Sequence, residues 1–176
     1  MQNANVQRKS ETLKVRPLRT EVPLSDLHNA TVQKGVGIWQ RMRGARPFPS
    51  RADMSPRQLS DLLRNTALVR VICAGEYELR IVGDALVQAQ GQSFQGMTMT
   101  EIDLVLPGHG SILTHIYNTV IERAAPISFR GWYHREADGR SLFHETAVLP
   151  LASAGNVIDH LIVFGAYAFT ADEKLR

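Results

Sequence analysis

The stretch Glu78–Met97, E-L-R-I-V-G-D-A-L-V-Q-A-Q-G-Q-S-F-Q-G-M, changes period within a few residues. Leu79 and Ile81 alternate with Glu78 and Arg80, the two-residue repeat of a half-buried strand. The alternation stops at Gly83, a short apolar helical segment covers Ala85–Gln90, and Gly91 and Gly96 close the unit. Asp84, directly after the strand, stands where a helix cap is needed. Such a unit can cradle a phosphate, hold a catalytic group or shape a pocket.

Phosphate binding fails at the residues just past the second glycine. A P-loop needs Lys and then Ser or Thr there, because those groups reach the phosphates and the magnesium. Here those places hold Met97 and Thr98, and no G-x-G-x-x-G exists either, so the glycines are read as structural. The nucleophile motif G-x-S-x-G is also absent. The single cysteine, Cys73, excludes a disulfide within the chain and a Cys-based zinc cluster. It ends the apolar run Leu68–Cys73 and is expected to be a small buried hydrophobe.

Histidines are the remaining route to a metal or haem. Ile112, Leu113, Ile116, Tyr117, Val120 and Ile121 form one apolar stripe on a predicted helix, 111–123. At ~100° per residue His115 falls about 150° from that stripe and should face solvent. His109, in the turn before the helix, is a minor candidate. His134, His144 and His160 lie far apart on strands, where solvated faces or satisfied hydrogen bonds are expected. No catalytic constellation emerges, and Asp84 and Glu145 are isolated carboxylates.

Composition bounds the rest. The 176 residues are 44% hydrophobic and 21% charged, ordinary for a globular protein. No apolar run approaches the ~20 residues of a membrane span, and Met1–Ser10 has no secretory apolar core. A cytoplasmic location is expected. Residues 1–20 carry +4 of the net +3, leaving −1 elsewhere, which argues against a broad nucleic-acid-binding face.

The order of elements gives the class. Residues 1–24 read as a basic, disordered tail and 25–170 as one domain, with 171–176 as its end. A helix is expected over 25–43, capped by Ser25 or Asp26, with Gly35 and Gly37 weakening it by up to about 1 kcal/mol each. Ser55 and Pro56 open a short helix to Arg64. Strands follow at 66–73 and 77–82, then the helices, then strands at 127–135, 141–151 and 157–169 with a turn at Asp138–Gly139. The last is almost continuously apolar, as suits a central strand covered on both faces. This is an α+β domain: an antiparallel sheet with helices on one face.

Trp39–Gly44, Pro49–Pro56 with its P-x-R-x-D pattern, Leu79–Gly83, the pair Gly91 and Gly96, and Leu149–Leu151 together resemble a bacterial, mostly alphaproteobacterial family of PAS-like domains. The resemblance spans roughly 36–168. It implies a five-stranded antiparallel sheet in the order 2-1-5-4-3, cupped by helices, with an extra N-terminal helix. It also implies a non-enzymatic sensory module that holds a small ligand, docks partners, or does both. Arg51 and Arg80 match family positions and, with Trp132, are the ligand-binding candidates; alternation leaves the face of Trp132 open. The cofactor stays unidentified. Flavin-binding relatives carry a cysteine in the segment that reads Asp84–Gln90 here, and haem-binding relatives need a pocket-facing histidine where His115 points outward. The given sequence ends at Arg176, so a signal is expected to pass in trans to a signalling protein, and the Trp39 helix implies a homodimer. Two alternatives stand beside this reading. One is a cone-shaped α+β isomerase or dehydratase, which needs a carboxylate–histidine or carboxylate–tyrosine pair in its cavity. The other is a nucleic-acid or nucleotide binder using the tail with Arg41, Arg43, Arg46 and Arg51, which lack an aromatic stacking platform.

Overall fold

The two periodicities resolve into one sheet with helices on both of its faces. The computed structural model describes residues 19–135 and 138–168. Six strands are present: β1 (Arg19–Val22), β2 (Thr66–Cys73), β3 (Glu76–Val82), β4 (Ile127–Arg135), β5 (Arg140–Leu151) and β6 (His160–Ala168). They lie in the order β1-β4-β5-β6-β2-β3, every pair antiparallel. The helices are α1 (Ala30–Arg43), α2 (Asp84–Gln90), α3 (Met99–Val105) and α4 (His109–Arg123). The α+β class and the order of the five main strands are those expected.

The sixth strand, β1, falls in the segment assigned to the tail; residues 1–18 and 169–176 lie outside the described residues. Its sequence, R-T-E-V, has no apolar alternation to announce it. Backbone pairing with β4 holds it, from Arg19 opposite Gly131 to Val22 opposite Ser128, and the Ser128 hydroxyl donates to the Val22 carbonyl at 2.6 Å. Glu21 adds an ion pair to Arg123 of α4.

Alternation along the central strands sorts side chains into two cores. Ala147, Leu149, Leu151, Ile162 and Phe164 pack with Val36 and Trp39 of α1. Val148, Leu161, Val163 and Val69 pack with Leu86, Ile102, Ile116 and Val120 of α2–α4. Helices therefore cover both faces, with α1 on the side opposite the other three, and β6 is enclosed as its apolar run requires.

Local chemistry fixes each boundary. Ser25 and Asp26 fall in a single 3-10 turn, and Asn29 caps α1 instead, its Oδ1 accepting from Thr31 N at 3.0 Å and Val32 N at 3.1 Å. The segment after Ser55 forms turns and then a 3-10 helix, Ser60–Asn65, rather than an α-helix. Cys73 is exposed, because it ends β2 beside the Ala74–Gly75 turn, past the covered half of the strand. Gly83, not Asp84, is the cap position of α2, with Asp84 in its first turn. A Cβ on Gly83 would stand 2.3 Å from the Leu63 carbonyl oxygen, so the strand end is glycine for lack of space. Thr98 and Glu101 form a reciprocal capping box at the start of α3. Asp103 of α3 then accepts from Ser111 N of α4 at 3.0 and 3.1 Å, fixing the two helices together.

Candidate ligand-binding site

Between the sheet and α2–α4 lies a cavity of about 540 Å³, within the ~300–1,000 Å³ of small-molecule sites. Leu86 of α2, Leu113 and Ile116 of α4, and Phe129, Val148 and Val163 of the sheet make its wall largely apolar. The same alternation that sends Glu145 and Ala147 to the α1 side sends His144, Thr146 and Val148 into this space.

The polar groups gather at one side. His144 stacks on Tyr167 with ring centres 5.6 Å apart, and its Nδ1 lies 3.1 Å from Thr146 Oγ1. Burial pushes the His144 imidazole down to about 4, helped by the positive Arg19 and opposed by Glu145. His109, the first residue of α4, is lowered for the same reason, with Asp103 opposing and Arg19 assisting. Both imidazoles are therefore neutral at pH 7. Burial also raises Tyr117 and pushes Tyr167 up to about 12, leaving neutral hydroxyls. Among the described residues, His109 Nε2 and Gln90 Oε1 are buried with no hydrogen-bond partner. Buried polar atoms are nearly always satisfied, so these two mark where a ligand or water would bond.

Arg19 supplies the charge. Its guanidinium stands 5.8 Å from the centre of the Phe129 ring, and burial lowers its pKa without discharging it. Among the described residues it is the only arginine or lysine on the cavity wall, has no carboxylate partner, and no Asp or Glu lines the space.

A family model described as PAS domain matches residues 27–168. The chain belongs to the PAS domain family. Solved structures of similar architecture include an RNA-binding light-oxygen-voltage receptor, at 14% identity and TM-score 0.46, covering 65% of this chain and 33% of that one. A LOV protein of Rhodobacter sphaeroides is similar at 7% identity and TM-score 0.43, covering 63% of this chain and 67% of that one. The PAS domain of an HTR-like protein from Haloarcula marismortui is similar at 18% identity and TM-score 0.40, covering 66% and 94%. This chain thus spans about a third of the first of these structures. No curated protein sequence matches it significantly.

Within this PAS domain the residues singled out from sequence are dispersed. Trp132 borders the cavity from β4, but alternation groups its side chain with Arg130 on the other face, and its ring meets Phe143 edge-on at 5.5 Å. Arg80 lies outside the cavity, paired with Glu78 at 2.8 Å. Arg51 is exposed in a turn, its carbonyl accepting from Met54 N at 3.1 Å. His115 is exposed, as its place on the helix requires. Asp84 is exposed, 3.5 Å from Arg64. Glu145 is buried on the α1 side, where it accepts from His28 N at 2.9 and 3.0 Å, Asn29 N at 2.6 Å and Arg130 Nε at 2.8 Å. No helix among the described residues is long and apolar enough to cross a membrane, and no group of three potential metal ligands gathers among them.

Sequence reasoning missed the polar side of the cavity. For His144 the period-two strand gave only the face it shares with Thr146 and Val148, not whether that face is covered. Arg19 carried no signal, because its strand is recognisable only through β4.

Proposed function

We propose that this chain is a non-catalytic sensory module that binds a small molecule in the cavity beneath α2–α4 and reports it to a protein partner in trans. The observation that carries this reading is the cavity itself: about 540 Å³, apolar-walled, with His109 Nε2 and Gln90 Oε1 unpaired. Membership of the PAS domain family supports a sensory role. The positions of Asp84 and Glu145 support the absence of catalysis, since an isomerase-type site needs a carboxylate within the cavity. A cytoplasmic homodimer paired through α1 belongs to the same proposal, and light scattering at tens of micromolar tests it.

Native mass spectrometry of the freshly purified full chain, followed by denaturing extraction, tests the central claim. The expected result is a defined small molecule whose retention is weakened in Leu86→Trp, which narrows the cavity. Turnover of that molecule by the protein, or undiminished retention in both Leu86→Trp and the double variant Leu86→Trp/Val163→Trp, would overturn the reading.

A further inference from the structure

The chemistry of the cavity wall goes further than its volume. Resting on the pocket reading above, we propose that the ligand is a small monocarboxylate with an apolar body, its head against Arg19 beside His109 and His144.

Charge balance is the first reason. A guanidinium held partly out of water is stabilised by a counter-charge, and here the described residues offer none. A carboxylate fits an arginine's paired donors directly, and one cation balances one negative charge, not the two of a phosphate monoester. The second reason is how the arginine is presented. Arg19 pairs across the ladder with Gly131, which has no side chain to fill that face, so the arginine lies over Phe129 at the cavity's edge.

The surroundings suit an anion as well. His109 and His144 both lie near enough to Arg19 for its charge to oppose their protonation, so the head would meet ring nitrogens able to donate. His109 Nε2 is one such nitrogen and has no partner. No carboxylate on the described wall would repel the ligand. Beyond this corner Leu86, Ile116 and Val163 supply mostly apolar surface, which suits the body of the molecule, while the unpaired Gln90 Oε1 would accept from a water or a donor on that body.

The test uses the full chain and two matched series: octanoate, 4-phenylbutyrate and dodecanoate against the corresponding alcohols, titrated by calorimetry at pH 7.5. The acids are expected to bind at least tenfold more tightly than the alcohols. Arg19→Gln should abolish that preference while leaving alcohol binding within about twofold, and Arg19→Lys should keep most of it. Melting curves check that each variant folds. If alcohols bind as well as acids, or Arg19→Gln leaves the preference intact, the anionic head is wrong while the pocket reading survives. Extraction of a porphyrin or flavin would also overturn the carboxylate and spare the pocket. If neither series binds at millimolar concentration and nothing is extracted, both readings fall.

Discussion

The two faces of the sheet share the same strands yet are built to different standards. On the α1 side the buried carboxylate and the buried indole both have partners. Glu145 is fully enclosed by four hydrogen bonds from two backbone amides and Arg130, and Trp39 Nε1 donates to the Pro150 carbonyl at 2.9 Å. On the α2–α4 side the side chains leave about 540 Å³ unfilled, two buried polar atoms unpaired and one guanidinium without a counter-ion among the described residues. One face therefore supplies stability and the other holds the features a ligand would complete. Residues 144 to 149 show how little sequence distance separates the two, since consecutive positions serve opposite faces.

Breaking the satisfied face should have the largest effect. Glu145→Ala leaves the His28 and Asn29 amides and the Arg130 guanidinium without their acceptor. The expected loss is about 3–5 kcal/mol, seen as a lower urea midpoint with an unchanged slope. A loss below about 1 kcal/mol would show that the buried latch at the start of α1 is dispensable.

Neighbouring truncations sharpen the contrast. Leu149→Ala, on the α1 side at 0% exposure, should cost about 2–5 kcal/mol, as interior leucines do. Val148→Ala, one residue earlier on the cavity side, removes atoms whose neighbours are already sparse and should cost about 1 kcal/mol. Only the second should alter affinity for a cavity ligand. Equal costs and equal effects on binding would remove the distinction between the faces.

Legibility in the sequence divides along the same line. Period-two strands, the Asp138–Gly139 turn and the apolar last strand are local signals, and from them an antiparallel sheet was readable; the order of its strands followed from the family resemblance. The apolar last strand called for cover on both faces, but helices were expected on one only, because nothing local tells α1 which side of a strand it will meet. The site was legible only in outline. His144 is one polar residue in an alternating strand, indistinguishable by sequence from a solvated one until its cover is known. Arg19 depends on a ladder to residues more than a hundred positions away. Cys73 misled in the other direction, since an apolar run does not reveal where its cover stops.

Acid should separate the faces too. The unfolded chain takes up a proton on His144 near the ordinary histidine value of ~6.5, whereas the folded imidazole, buried and near Arg19, resists until about 4. Between those values the unfolded state binds more protons, so stability falls as pH falls, and above ~6.5 this group contributes no slope. Relative to His144→Gln, the wild type should lose up to about 3 kcal/mol across that window, measured by urea unfolding at each pH. Asp103, held below the usual carboxylate range by Ser111, titrates beneath that window, and Tyr167 stays neutral throughout it. The difference between the two proteins therefore isolates His144. Parallel curves would mean that the imidazole is solvated and the cavity wetter at this end than its geometry implies.

The smallest effect concerns a residue that looks like a flaw in the sequence. Gly35 sits inside α1, where alanine would favour the helix by up to about 1 kcal/mol. A Cβ there would stand 2.4 Å from the Phe164 ring of β6, which is itself fully buried. Neither ring nor helix can yield without disturbing the α1 face, so the overpacking cost of about 1–3 kcal/mol should exceed the helical gain and leave a net loss of up to about 2 kcal/mol. Gly37 provides the internal control: a Cβ there meets nothing within 4 Å, so Gly37→Ala should be neutral or stabilising. The same substitution two residues apart should therefore lower the thermal midpoint at Gly35 and leave it unchanged or raised at Gly37. If both rise, α1 does not press on β6 closely enough to define the rigid face, and the contrast with the cavity side loses its structural basis.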